Sequence, residues 1–157
     1  MIVRTPVMRW SVPAQRDQAG PLRRRVTAYA AETGLPSGRL NEVALAVGEA
    51  IANVVLHAYR DSETGAGAID VTAEVRDGEL LIVVLDQGSG LAPRSDSPGL
   101  GLGLGVMSQV CDSLRIREGV HRGTEVHMAF LLPGARAPAA RAEEPVPRLR
   151  ARMAGGF

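Results

Sequence analysis

Hydrophobic positions along this chain change their period several times, and each change marks a new element. Met8–Val12 alternates apolar and polar residues, the period-two pattern of a short strand. Leu22, Val26, Tyr29 and Ala30 then recur at helical spacing through Pro21–Thr33, and Gly34 follows as a C-terminal cap. Arg23, Arg24 and Arg25 fall on or beside the exposed face of that helix. Ser37 stands at the N-cap of a second helix that runs to about Tyr59. Its apolar stripe is wide, built from Leu40, Val43, Ala44, Val47, Ile51, Val54 and Val55.

The second half has a different rhythm. Ala68–Arg76 places Ile69, Val71, Ala73 and Val75 on one face, and Asp77-Gly78 after it is a tight-hairpin signal. Glu79–Asp86 is almost continuously apolar, which predicts a strand buried on both faces. A Gly, Pro and Ser-rich stretch runs from Gln87 to Gly105. A helix over Val106–Leu114 follows, then a last hairpin of Leu114–Glu118 with Glu125–Leu132. One strand, two helices and a strand-rich half with one further helix predict an α/β two-layer sandwich, not alternating βαβ units.

Composition narrows the picture. With 157 residues and 45% apolar content there is room for one real core, but one Trp, two Tyr and two Phe leave it to Leu, Val, Ile and Ala. Residues 1–133 read as the domain. Beyond them, Gly134–Phe157 is Ala, Pro, Arg and Gly with little to bury, and is expected to be a disordered tail. A net charge of +1 argues for neither nucleic acid nor a membrane surface as partner. The lone Cys111 makes no internal disulfide, no signal peptide is visible, and Leu80–Leu85 is far short of the roughly 20 residues that span a bilayer. The expectation is a soluble cytoplasmic protein.

All eighteen basic residues are Arg. Schiff-base chemistry, the P-loop lysine and the strand lysine of eukaryotic-type protein kinases are therefore excluded. If phosphates are bound, Mg²⁺, backbone N–H groups and Arg must meet them.

Three patterns carry candidate chemistry. Glu49, Asn53 and His57 follow one another at i, i+4 on the long helix, beside its apolar stripe. An ordinary polar helix face explains any one of them, yet Asn in mid-helix between Ala52 and Val54 is locally unfavourable. Asp86 ends the core strand before Gln87-Gly88-Ser89-Gly90, where it can accept from a ligand amino group while glycines admit a flat ring. Alone, that is only a turn. Gly99-Leu-Gly-Leu-Gly-Leu-Gly105 opens a helix with unblocked N–H groups aimed at an anion. A dinucleotide fingerprint fails, because the sixth position from Gly99 is Leu104 and from Gly101 is Val106.

Taken together these patterns resemble a known family. Glu49-Ala-Ile-Ala-Asn53 with Leu56-His57-Ala58-Tyr59 is similar to the N-box of the gyrase, chaperone, histidine-kinase and MutL ATPase superfamily (GHKL, the Bergerat fold). Asp86–Gly90 resembles its first glycine box, Gly101–Met107 the second, and Gly123-Thr124 the third. Order and spacing match from about Met8 to Pro133. Within the superfamily the chain is most similar to bacterial anti-sigma-factor serine kinases, through Glu-Ala-x-x-Asn-x-x-x-His-Ala-Tyr and the continuation Met107–Asp112. The helical segment with a phosphoaccepting His that sensor kinases use is not seen.

The resemblance implies a mixed, mostly antiparallel sheet covered on one face by helices. It implies ATP and Mg²⁺ as cofactors, with Asn53 as metal ligand and Glu49 as the catalytic general base toward an attacking serine. Asp86 would take the adenine amino group, Gly88 and Gly90 would lie against the ring, and Thr124 would close that end. Gly101, Leu102, Gly103, Leu104 and Gly105 would form the phosphate loop, with Leu91–Leu100 as a lid carrying Arg94 as its only cation. The implied function is an anti-sigma factor that sequesters a sigma factor of RNA polymerase and phosphorylates a serine of an anti-anti-sigma antagonist. A homodimer is expected, with Trp10 in an edge strand near the interface. Two other readings remain: a nucleotide-dependent binding module without kinase activity, and a domain acting in trans on histidine. His57 either buttresses the site or caps the helix end. His121 and His127 read as surface or strand residues, Cys111 as a small buried apolar residue, and Trp10 and Tyr29 as core or dimer contacts.

Overall fold

Three helices lie on one face of a five-stranded sheet in the computed structural model, which describes residues 5–60, 67–90 and 100–135, with only the backbone of 100–102. In chain order these are β1 (Met8–Pro13), α1 (Arg16–Glu32), α2 (Ser37–Asn53), β2 (Ala68–Arg76), β3 (Glu79–Asp86), α3 (Leu100–Val110), β4 (Ser113–Glu118) and β5 (Thr124–Leu131). Strand order is β1-β2-β3-β5-β4, and every described pair is antiparallel rather than mixed. The Arg94 lid position and the tail from 136 onward lie outside the described residues.

The β2–β3 hairpin fixes the register of the sheet. Asp77 and Gly78 both take positive φ (53° and 80°), the backbone of a two-residue loop whose twist matches its strands. Arg76 then faces Glu79, and Ile69 at the far end faces Asp86. Leu80, Ile82 and Val84 point to the helices, joined by Ile69 and Val71 from β2 and by Val126, Met128 and Phe130 from β5. Leu22 and Val26 of α1 and Val43, Val47, Ala50 and Ile51 of α2 fill the other side. Trp10 meets Tyr29 edge-on with ring centroids 6.2 Å apart, so both are core contacts, and the Tyr29 hydroxyl donates to the Pro6 carbonyl at 2.8 Å.

Several expectations are corrected. The strand at Glu79–Asp86 is fully buried on the helix side alone; Leu81, Val83 and Leu85 on its other face are half-buried, and among the described residues no helix covers them. α1 begins at Arg16, five residues earlier than expected, so Pro21 lies inside the helix, where it forfeits one backbone bond and crowds the carbonyl one turn before it. Pro36, not Ser37, is the cap residue of α2, and its carbonyl accepts from Arg39 N at 2.9 Å. α2 ends at Asn53 and continues as a π-helical turn over Val54–Ala58. α3 starts at Leu100, so the glycine run lies within the helix, and it stops at Val110 rather than Leu114.

The segment Ser37–Ala58 has the length and mean hydropathy (1.2) to cross a bilayer. Its apolar stripe packs on the sheet, which makes it a core helix. Arg39 at its start donates to Glu42 and to Asp112 beyond α3, and lies 5.7 Å above the Phe130 ring. Asp112 also accepts from Leu131 N–H at 2.7 Å, so one ion pair ties α2, the end of α3 and β5 together.

One-sided burial makes a simple prediction. Ile82→Ala should lower unfolding free energy by about 2–5 kcal/mol, as deletions in a packed core do. Val83→Ala, one residue along on the half-buried face, should lose clearly less in the same urea titrations.

Candidate functional site

Glu49 and Asn53 are successive turns of α2, and α3 crosses directly against them. A Cβ built on Gly103 would lie 2.9 Å from Glu49 Oε2 and 3.8 Å from both side-chain polar atoms of Asn53. At Gly103 the α3 backbone therefore comes close to both groups, and a Cβ there would push the Glu49 carboxylate aside. The amide and carboxylate thus face the helix that opens with the glycine run. Gly101 and Leu102 sit in its first turn, Leu104 is half-buried, and Gly105 is exposed with nothing within 4 Å of its would-be Cβ.

Asp86 sits at the end of β3, 5% exposed. Its carboxylate accepts from Gly88 N–H at 2.9 Å and from the Thr124 backbone N–H. Burial pushes its pKa above the ordinary 3.8, and those two backbone bonds oppose the shift without cancelling it. Two glycines make this arrangement possible. A Cβ on Gly123, whose φ is +87°, would fall 2.0 Å from the Asp86 carbonyl oxygen. Another on Gly88 would fall 2.0 Å from the Ala58 carbonyl oxygen, which accepts from Ser89 N at 2.9 Å. Gly90 (φ +80°) comes back toward the Gly123 carbonyl, and Thr124 is buried beside Asp86.

Two groupings therefore form: Glu49 and Asn53 with Gly103, and Asp86 with Gly88, Gly90, Gly123 and Thr124. His57 joins neither. It falls in the π turn after Asn53 and lines a separate open cleft of about 560 Å³ with Ala14, Gln15, Arg16, Val55, Leu56 and Arg60. His121 is exposed, and His127 pairs with Glu125 at 2.9 Å on the sheet face away from the helices. The Cys111 thiol is half-buried, with a pKa pushed up to about 12 chiefly by burial, so it is not a nucleophile. Tyr59 was quoted in the sequence only as part of a motif, yet its hydroxyl reaches the Gln87 amide at 3.0 Å.

No group of three or more His, Cys, Asp or Glu among the described residues is placed to hold a metal. A Mg²⁺ ion arriving with a nucleotide needs no such cluster. Such an ion keeps several waters, takes oxygens from the phosphates and needs one or two protein ligands. Asn53 and Glu49 present an amide oxygen and a carboxylate beside the first turn of α3, donor types that fit such an ion.

Comparison with known proteins gives the family and the fold. The histidine kinase-like ATPase domain family matches residues 12–130. The anti-sigma F factor of Clostridium botulinum (strain Eklund 17B) is 31% identical over 114 residues, 66% of this chain and 78% of the relative. The serine-protein kinase RsbW of Bacillus subtilis is 29% identical over 140 residues, 80% of this chain and 85% of the relative. The crystal structure of the RsbU and RsbW domains of Rv1364c from Mycobacterium tuberculosis matches with a TM-score of 0.64 and 23% identity. It covers 81% of this chain and 32% of that longer one, and supports the fold alone.

The buried Asp86 sets a pH dependence. Its folded pKa is raised, so the folded state holds the proton that the unfolded chain releases near 3.8. The contribution of Asp86 to stability is thus lost as pH rises from that value through the folded pKa. Denaturant midpoints measured across this window in the nucleotide-free protein should show that decline, and Asp86→Asn should remove it.

Proposed function

This chain belongs to the histidine kinase-like ATPase family, in its anti-sigma-factor branch, and on that premise we propose that it is an ATP- and Mg²⁺-dependent protein serine kinase. It sequesters a sigma factor of RNA polymerase and releases it on switching to an anti-anti-sigma antagonist, whose serine it phosphorylates. The observation that carries this reading is the contact of Gly103 with both Glu49 and Asn53. A metal ligand and a general base one helical turn apart, facing an N–H-rich helix start, suit the positioning and charge neutralisation that phosphoryl transfer requires.

In this reading Asn53 would hold Mg²⁺ through its amide oxygen, and the ion would supply charge neutralisation for the phosphates. The backbone of Gly101–Gly105 faces the phosphates, and Arg94 is the cation of the lid. Asp86 accepts from the adenine amino group while Gly88 and Gly90 let the ring approach and Thr124 closes that end. Glu49 takes the proton of the attacking serine hydroxyl. The protein is a soluble cytoplasmic homodimer; β1 is an edge strand, which supports an interface there, while its Trp10 packs inward on Tyr29. Two exposed Arg23–Arg25 faces then meet one sigma factor.

Substitution of two residues on one helix tests the roles separately. Asn53→Ala should lose Mg²⁺-dependent nucleotide affinity and kinase activity together. Glu49→Ala should keep ATP and Mg²⁺ binding and slow phosphoryl transfer by about 10²–10⁴-fold, the usual contribution of a general base. Calorimetry and transfer of labelled phosphate to purified antagonists encoded nearby give both readouts. An antagonist phosphorylated at the wild-type rate by Glu49→Ala removes the assigned base. Phosphate absent from every antagonist, with nucleotide bound normally, favours the binding module without kinase activity.

A further inference from the structure

The loop that follows β3 is fastened by a residue that the mechanism above leaves unused. Tyr59 comes directly after the π turn, and its ring covers Gly67, where a Cβ would lie 2.1 Å from Cε1. Its hydroxyl donates to the Ala68 carbonyl at 2.7 Å and accepts from the Gln87 N–H at 3.0 Å. It therefore joins the end of α2, the start of β2 and the end of β3. Burial, opposed in part by the Gln87 bond, holds its pKa above the ordinary 10.0, so the phenol keeps the proton it donates.

Three consecutive amides after β3 find their partners in turn. Gln87 N–H goes to Tyr59 Oη, Gly88 N–H to Asp86 Oδ1 and Ser89 N–H to the Ala58 carbonyl. The outer two are gripped by neighbouring residues at the end of the long helix. The middle one orients the carboxylate. The Asp86 carboxylate is held from two sides, by the Thr124 amide at the start of β5 and by the Gly88 amide, and the Gly88 bond turns with its own loop. Pinning the amides on both sides fixes where the carboxylate points relative to α2.

We propose that Tyr59 is a positioning residue for base recognition, holding Asp86 where it accepts from the amino group of adenine and rejects guanine. The proposal rests on the nucleotide reading above. Adenine presents an N–H₂ donor where guanine presents the O6 acceptor. A carboxylate held in one place bonds the first and repels the second. One that shifts toward solvent loses both effects, so displacement weakens adenine binding more than guanine binding.

Tyr59→Phe keeps the ring on Gly67 and removes both hydroxyl bonds. Titration calorimetry of the full chain with ADP and with GDP, each with Mg²⁺, reads the effect. The ADP Kd should rise about three- to tenfold, the worth of one hydrogen bond. GDP affinity should change less, so the preference for adenine falls. In an Asp86→Asn background, Tyr59→Phe should leave the ratio of the two affinities unchanged, since the group it positions is altered already. A Tyr59 that merely supports the fold lowers Tm and weakens both nucleotides by the same factor; that result overturns the proposal, as does an unchanged ratio in a wild-type Asp86 background. Failure of the unaltered protein to bind ADP overturns the nucleotide site itself, and the proposal with it.

Discussion

A carboxylate buried at the end of the central strand is the constraint around which the rest of this molecule is arranged. Asp86 is 5% exposed, and a charge taken that far out of water is unfavourable unless it is hydrogen-bonded. The chain supplies two backbone donors, from Gly88 and Thr124, and neither comes from a side chain. To bring them there, the turn after β3 must fold back on its own strand and the start of β5 must lie alongside. The β3–β5 pairing, in register from Glu79 with Leu131 to Leu85 with Glu125, delivers Thr124 just past its last pair. Sheet topology and the placing of this carboxylate depend on the same few residues.

Glycine marks the places where this arrangement is tightest. Gly123 lies against the Asp86 carbonyl, Gly88 against the Ala58 carbonyl and Gly103 against the Glu49 carboxylate. At Gly123 and Gly88 backbone meets backbone with no room for a Cβ, and at Gly103 a Cβ would displace the Glu49 carboxylate. These approaches tie α2 to α3, the turn after α2 to the loop after β3, and β3 to the start of β5. This is why four weak motifs are informative as a set. Each glycine answers a close approach by another motif, so none of the contacts forms without its counterpart.

Much of this was legible in the sequence. Alternation gave β2 its bounds, Asp77-Gly78 announced the hairpin, and Gly34 does take φ +84° after α1. The resemblance pointed to Glu49, Asn53, Asp86 and Thr124, and the structure places the first two on one face of α2 beside Gly103 and the last two together where β3 ends and β5 begins. The misses have physical causes. Helix propensity counts Gly as a helix breaker, so α3 was expected to begin only after the glycines. An almost unbroken apolar strand reads as buried twice over, although Leu81, Val83 and Leu85 are only half covered. The π turn that takes His57 out of line with Glu49 and Asn53 has no sequence signal. Arg39 and Asp112 are 73 positions apart, so no local pattern reveals their ion pair.

That ion pair bears on how α3 is held. Its first half alternates Leu and Gly, and each Gly in a helix interior costs about 1 kcal/mol relative to Ala. A helix with this start would fray if it depended on its own propensity. Its other end is anchored by tertiary contacts. Met107 is fully buried, Cys111 N–H bonds the Met107 carbonyl at 3.0 Å, and Asp112 receives both Arg39 and the Leu131 amide. Arg39 in turn rests on Phe130, in the strand that carries Thr124 at its start. The half of α3 that faces Glu49 and Asn53 is therefore free to be built for backbone approach, because the half that faces the core supplies the rigidity. Glycine is tolerated there because an arginine and an aspartate hold the far end in place.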